Sequence, residues 1–456
     1  MPPLGPPYTD TSVQPPPLRY PVAPPEQWPV TPALLPGPVP PAPPRPSWMD
    51  DPQHRAFAWG AVAIVFAIIV GSFIGATAAD GPVTAAAPAS SSDESTDSTS
   101  SESDTTTTTE PRSLDEVLLE IEKFVERERG LEFKQSVDVT LAGEAEFQSR
   151  LLAEVDKEQA PLIEEQQVLR ALGLIPPGFD LIKEERALLA IGVLGFYDPE
   201  AKELVVRGTE TTPFVREILA HELTHALDDQ WFDLNRPQLD TADDESSFAF
   251  SALAEGNARR IEDAYLASLP ANEQAEALQA QAALVLQHPE ILDLPPILLT
   301  LEQAPYELGP SFIEALLGSG GQATLDRAFG SPPLTSEQIL DPERYLSSEG
   351  PVVVPAPTPD GASANVGVLG ALLLRETLFE SLPSDAQVQR AIRGWGGDSY
   401  VTWTDGAGKS CLRDTFVGDT PGDTVELVRA LTEWGSDHDA VVDAPADGPA
   451  TFTVCA

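Results

Sequence analysis

An α+β fold, mostly helical with a small sheet and standing after a single transmembrane helix, is predicted by three features of this sequence. An uncharged run of 24 residues, Ala56 to Ala79, is long enough to cross a ~30 Å hydrocarbon core as a helix. Beyond it, helical spacing of apolar residues dominates, beginning with Leu114, Val117, Leu118, Ile121, Phe124 and Val125. Short β-rich runs such as Glu203-Leu204-Val205-Val206-Arg207 interrupt the helices and supply the sheet.

Twenty of the 46 prolines fall within the first 52 residues. Proline fixes φ and lacks the amide donor, so residues 1–55 are expected to form a disordered, proline-rich tail outside any core. Arg45, His54 and Arg55 precede the apolar run of residues 56–79, whereas Asp80 and further acids follow it. The positive-inside rule therefore places the N-terminus in the cytoplasm and the rest of the chain outside the cell, as a single-pass protein of the cell membrane. Ala76-Thr77-Ala78 would be the processing site of a cleaved signal, but the length of the run and the 55 residues ahead of it favour an uncleaved anchor. Residues 80–112 read as a linker, since every residue from Ser90 to Glu110 is Ser, Thr, Asp or Glu and none can be buried. The net charge of -45, from 72 acids against 27 Lys and Arg, excludes nucleic acid as a partner, because no basic footprint remains.

The remaining residues are expected to form a zinc-binding catalytic subdomain at 113–270 and a helical, mixed C-terminal subdomain at 271–456. Ser113 and Glu116 have the spacing of a capping box, and Gly130 is a plausible stop for the helix it opens. A strand follows from Ser136 to Leu141, then helices from Glu144 to Val155 and from Leu162 to Leu172. Ile191 to Tyr197, the turn Asp198-Pro199 and Glu203 to Arg207 read as strand, turn, strand. Long helices are expected from about Pro213 to Gln230 and from about Glu245 to Leu269, with mostly helical segments continuing to Tyr345. From Gln387 a helix mixes with short strands such as Tyr400 to Trp403. Cys411 and Cys455 both lie in the oxidising compartment, where one disulfide between them is expected; in the chain-entropy account it would stabilise the fold by about 4 kcal/mol.

The chain has five histidines, and two of them form His221-Glu222-Leu223-Thr224-His225 within a helical pattern. Positions i and i+4 share a helix face, which lets two imidazoles reach one zinc ion. Glu222 projects beside them, where a carboxylate can take a proton from metal-activated water. A catalytic zinc needs a third protein ligand, and no HxxGxxH continuation follows His225; the next histidine is His288. Three acids compete. Glu245 sits in a polar run that suits the start of a helix, and Glu262 is flanked by Arg259, Arg260 and Asp263 in a pattern typical of a solvated face. Glu255 lies among Ala252, Ala254, Gly256 and Ala258, small residues that would allow its helix to approach the HExxH helix closely, and it is the preferred ligand. Asp229, one turn after His225, is a candidate to orient a ligand histidine.

The run His221 to Gln230, followed by Trp231-Phe232-Asp233-Leu234 and Ala254-Glu255-Gly256-Asn257-Ala258, resembles the gluzincin clan of zinc metallopeptidases. It is similar in particular to a bacterial family, many of its members actinobacterial, of membrane-anchored or secreted proteins with an HELTHALxDQ core. The resemblance extends to Pro305-Tyr306-x-x-Gly309-x-x-Phe312, to Thr335 through Pro342 and to Gly394 through Asp398, and so covers roughly residues 130 to 435. It implies a zincin-like metallopeptidase ectodomain with His221, His225 and Glu255 as zinc ligands and Glu222 as general base. Where the family pattern reads Leu-His-Pro, this chain has Leu340-Asp341-Pro342.

The expected activity is hydrolysis of peptide bonds in peptide or protein substrates outside the cell. Tyr306 is the first candidate for the donor that steadies the oxyanion, with His438 and Tyr345 as alternatives. Substrates are expected to add as a strand along Glu203–Arg207, the strand nearest in sequence to the HExxH helix. The competing expectation is a non-enzymatic cell-surface binding protein on a degenerate protease fold.

Overall fold

The computed structural model describes residues 112–456 apart from 156–158, 237–238, 240–243, 380, 383 and 446–447. The expected tail, membrane span and most of the linker lie outside the described residues. Among the described residues no helix is long and apolar enough to cross a membrane. The architecture is mixed α and β, with helices predominating.

Helix α1 (Leu114–Arg129) opens on the capping box of Ser113 and Glu116 and ends at Gly130 in the left-handed region. Strand β1 (Asp138–Ala142) leads into α2 (Glu144–Val155), α3 (Gln159–Ala171) and α4 (Leu181–Gly192). Asp180 caps α4 by accepting from the Lys183 amide. Ile191 and Gly192, expected in a strand, close this helix instead, because its apolar face of Leu181, Leu188 and Leu189 extends the helical pattern through them. Strand β2 (Gly195–Asp198) then turns into β3 (Glu203–Arg207).

These strands form a three-stranded sheet in the order β1-β3-β2, with β1 parallel and β2 antiparallel to β3. The expectation that Glu203–Arg207 offers a free edge is therefore corrected. Both sides of β3 are paired, since β1 arrives from more than 60 residues earlier to take the second side. The outer edge next to the HExxH helix belongs to β2.

Helix α5 (Pro213–Phe232) starts at Thr212, whose hydroxyl accepts from the Val215 amide, with Pro213 in the first turn. Every residue from Val215 to Asp229 is buried, which marks α5 as the central helix, enclosed on all sides. It packs against α1, the small sheet, α6 (Asp244–Ser268) and α7 (Ala271–Gln287). Helix α8 (Pro296–Gly320) lies along α6, followed by α9 (Gln322–Gly330) and the short α10 (Ser336–Leu340) and α11 (Pro342–Leu346).

The C-terminal region has a second, five-stranded antiparallel sheet. Its strands are β4 (Ser363–Gly367), then, after helices α12 (Gly370–Phe379) and α13 (Asp385–Ile392), β5 (Trp395–Thr404) and β6 (Ser410–Gly418). Helix α14 (Pro421–Gly435) precedes β7 (Val441–Asp443) and β8 (Ala450–Cys455), and the sheet order is β4-β5-β6-β8-β7. Leu427, Leu431 and Trp434 of α14 pack into the same buried cluster as Phe416 and Phe452 of the sheet. Cys411 and Cys455 are directly paired across β6 and β8 and form the expected disulfide.

Candidate metal centre

Two adjacent turns of α5 bring His221 and His225 together, with their Nε2 atoms 3.0 Å apart. From the neighbouring α6, one carboxylate oxygen of Glu255 stands 3.1 Å from each of these nitrogens. All three side chains are buried, at 0, 6 and 2% exposure for His221, His225 and Glu255. Three ligands placed ~2.0 to 2.1 Å from one tetrahedral zinc lie roughly 3.3 Å from each other, so the observed triangle is close to the size the ion requires.

The chemistry of the donor set points the same way. Three lone-pair atoms facing each other in a buried space repel unless a positive charge joins them. Burial alone would lower the His221 pKa, yet its hydrogen bonds to Glu255 and Glu262 raise it to about 10. Burial alone would raise Glu255, but the neighbouring imidazoles hold it near about 2. The protein alone meets this demand with a proton, and a divalent cation would meet it from all three side chains at once.

Glu262, expected on a solvated face, is fully buried, and its carboxylate lies 2.8 Å from Nδ1 of His221. That contact makes Nδ1 the protonated nitrogen and turns the Nε2 lone pair of His221 toward Glu255 and His225. Arg259 does pair with Glu262, at 3.4 Å, but from the rim of a buried network rather than on an open surface. Glu245 is also buried rather than simply starting a helix. It accepts hydrogen bonds from the amide and hydroxyl of Ser336, at 2.8 and 2.9 Å, and so ties α6 to α10. Asp229 orients no histidine; it accepts from the Tyr197 hydroxyl and the Lys202 ammonium, both at 2.7 Å, and clamps the β2–β3 hairpin to α5.

Glu222 is fully buried, and neither carboxylate oxygen has a hydrogen-bond partner among the described residues. Burial raises its carboxyl to about 7 against the lowering pull of the two imidazoles. Room for it is left by Gly195 of β2, where a Cβ would stand 3.2 Å from a Glu222 oxygen and 2.8 Å from Ile218. The first β2 residue thus faces the candidate base directly.

Tyr306 reaches the same centre from α8. Its ring stacks on that of His221 at 6.1 Å between centroids, and its buried hydroxyl stands beside the Glu255 carboxylate. Burial and the adjacent Glu255 and Glu222 carboxylates raise its phenol well above the usual value, so it stays a neutral donor. The close crossing of α8 on α6 sets its position. A Cβ on Gly256 would lie 2.4 Å from the Gly309 backbone, and one on Gly309 would lie 2.3 Å from the Ala252 carbonyl. Gly256 and Ala252 therefore serve the approach of α8, and this crossing brings Tyr306 over His221.

A buried hub fixes α5 against α6. Asp228, three residues after His225, accepts from Arg129 Nε at 2.6 Å and from Asn257 Nδ2 at 2.6 Å. Arg129 also donates to Gln322 and Asp326 of α9, at 3.1 and 2.8 Å. The pairing ties the HExxH segment of α5 to the Glu255 segment of α6.

The other candidates lie apart from this centre. His438 stacks on Trp434 and contacts its carbonyl, and Tyr345 donates to the Ser331 carbonyl at 2.8 Å. His288 stands beside Glu290 at the end of α7, and Asp341 lies 3.6 Å from Arg344. A second acidic group of Glu337, Glu349 and Asp419 surrounds the Arg344 guanidinium, which already neutralises it in part. Sequence reasoning weighed Glu262 only as a competing ligand and set it aside, named Asn257 without a role, and passed over Gly195. For Glu262 the available signal was its seven-residue spacing from Glu255, which places both on one helix face. Compared with known protein families, with curated proteins and with solved structures, the chain matches none. Its function is thus argued from the centre itself.

Proposed function

We propose that this protein is a zinc metallopeptidase of gluzincin type and zincin-like fold. In this reading residues 56–79 hold it in the cell membrane, and it acts on peptide or protein substrates outside the cell. The observation that carries it is the meeting of two imidazoles and one carboxylate in a triangle with 3.0 to 3.1 Å edges beside an unpartnered buried carboxylate. A purely structural zinc has no use for that fourth group.

His221, His225 and Glu255 would hold the ion, and Glu262 would fix the tautomer of His221. Zinc bound there supplies Lewis acidity, polarising a carbonyl and acidifying water. Glu222, with a carboxyl near neutrality, accepts a proton and passes it to the leaving amine. Tyr306, whose neutral hydroxyl stands beside the Glu255 carboxylate, would donate to the developing oxyanion. An extended substrate would pair with the outer edge of β2, whose Gly195 borders Glu222.

The test is metal analysis of the purified full-length protein alongside turnover of a broad peptide library. About one zinc per chain is expected, lost in His221→Ala and His225→Ala. Glu222→Gln should retain zinc and lose hydrolysis by a factor of ~10² to 10⁴. Equal turnover by wild type and Glu222→Gln, or a zinc-loaded wild type that cleaves nothing in the library, would replace this reading with the binding-protein one.

A further inference from the structure

We propose that the contact between α4 and α8 is a gate to the candidate metal centre, latched by a proton shared between Glu185 and Glu302. The inference rests on the peptidase reading, since only a centre that receives a peptide needs a way in.

Closure is the first observation. His221, Glu222, His225, Glu255 and Tyr306 are 0 to 6% exposed, so a peptide cannot reach them unless part of the surrounding wall moves. Two elements flank the candidate base and the candidate donor. Helix α4 runs into β2, whose first residue Gly195 borders Glu222, and α8 lays Tyr306 over His221. These two helices meet through the side chains of Glu185 and Glu302, which are hydrogen-bonded to each other.

The chemistry of that contact is the second. Two carboxyl groups can share a hydrogen bond only while one of them keeps a proton to donate. Glu185 is 7% exposed, and Glu302 is half-buried one turn before Tyr306 on α8. The other titratable groups that bear on the pair are Glu165 of α3 and Tyr306, and no Lys, Arg or His faces it among the described residues. Burial and the neighbouring carboxylates raise both glutamates above their ordinary value of 4.5. Once parted in water, each returns to that value and ionises. The closed arrangement therefore binds the proton more tightly, so acid holds the contact shut and rising pH opens it. Asp398 and Asp414 cannot part in this way, because their strands β5 and β6 are joined by a continuous ladder.

A hinge is the third. Helix α8 contains Pro305 and Pro310, one on each side of Tyr306. Proline offers no amide, so the carbonyls of Leu301 and Tyr306 lose their helical partners and the helix is weakened at that point. The close crossing of Gly309 on Gly256 fixes the following half of α8 to α6. Residues 296–304 can then tilt about Pro305, and their first turn has no side-chain cap to hold it. Ile297 and Leu298, buried in the same cluster as Leu181 of α4, return the segment to its closed position.

Hydrogen–deuterium exchange on the full-length protein in detergent between pH 6 and 8 tests the gate, with each rate divided by that of an unstructured peptide at the same pH. Opening of residues 297–304 should rise by about tenfold over this range in the wild type, while residues 218–227 of α5 stay unchanged. Glu185→Gln and Glu302→Gln each supply a permanent N–H donor in place of the shared proton, and in both the rise should disappear. Melting curves show which variants are folded, and either one suffices. Opening that is independent of pH in the wild type, or that rises equally in the folded variants, would overturn the proposal. Peptide turnover on the same samples keeps the two readings apart. Hydrolysis without pH-dependent opening would remove the gate and leave the peptidase, whereas pH-dependent opening without hydrolysis would leave the latch and remove the peptidase.

Discussion

Two of the regions that bury carboxylates at close quarters neutralise them in different ways. At the candidate metal centre, Glu255 and Glu262 flank imidazoles, and neighbouring charge and hydrogen bonds hold the Glu255 pKa at about 2. In the C-terminal sheet, Asp398 of β5 and Asp414 of β6 face each other with no base beside them. Asp398 accepts from the amides of Leu369 and Gly370 and from the Trp395 indole, at 2.7, 2.9 and 2.8 Å, and so is the ionised partner. Asp414 meets only the Asp398 carboxyl and the Thr415 amide among the described residues, and burial together with Asp398 raises its pKa well above the usual value. The sheet pair is satisfied by one shared proton, whereas the centre offers converging lone pairs that suit a metal ion. Buried acid alone therefore does not define a functional site; acid accompanied by correctly turned bases does.

The comparison breaks most decisively at Glu255 and Glu262. If Glu255 is a ligand and Glu262 an orienting group, Glu255→Ala should lower zinc affinity by orders of magnitude. Glu262→Gln, which keeps the shape but loses the charge facing Nδ1, should lower it by ~10 to 100-fold. Competition with a fluorescent chelator gives both values. A larger loss in Glu262→Gln than in Glu255→Ala would exchange their roles. Unchanged affinity in Glu255→Ala would leave the centre no better founded as a metal site than the aspartate pair.

A smaller effect separates a proton from a metal at the same place. The His221 pKa of about 10 lies above the ordinary value of 6.5, so the metal-free fold holds this proton throughout the window between them. A zinc ligand must be unprotonated, so metal uptake at pH 8 should release about one proton and apparent affinity should rise up to about tenfold per pH unit. The same raised pKa stabilises the metal-free fold below about 6.5, and that contribution is lost as pH rises through about 10. Calorimetry in buffers of different ionisation enthalpy counts the protons. Zero released would mean that His221 is neutral before the metal arrives.

Much of the framework was legible because its signals are local. The capping box at Ser113, the strand Glu203–Arg207, the HExxH helix and the cysteine pair depend on neighbours in sequence or on chemistry that few residues share. Glu262 was misread because α6 is packed on more than one side, so the charged residues around it no longer mark a solvent face. The free edge of the small sheet was misassigned because β1, distant in sequence, covers β3. Asp229 looked like a partner for His225 at helical spacing, but Tyr197 and Lys202 reach it first from a hairpin whose docking no local pattern encodes. In β5 the sequence suggested only Tyr400 to Trp403, while the strand runs from Trp395 to Thr404, buried along nearly its whole length. A strand covered on both faces lacks the alternation by which strands are recognised.

The smallest expected effect lies in the aspartate pair itself and sharpens the contrast from the other side. Because the folded-state pKa of Asp414 is raised, the native protein keeps a proton that the unfolded chain gives up above the ordinary aspartate range near 3.8. Its contribution to stability is complete below that range and declines as pH rises toward the folded value, by up to about 1.4 kcal/mol per pH unit. Asp414→Asn supplies a permanent N–H donor to Asp398 and removes the titration. Relative to wild type, the variant should therefore gain stability steadily between pH 5 and 8, while the metal centre remains untouched. Urea unfolding of both proteins, saturated with zinc and compared at several pH values, measures that slope. Parallel curves would mean that Asp414 is already ionised at neutral pH, and the distinction between a region that carries a proton and one that carries a metal would then have to rest on the histidines alone.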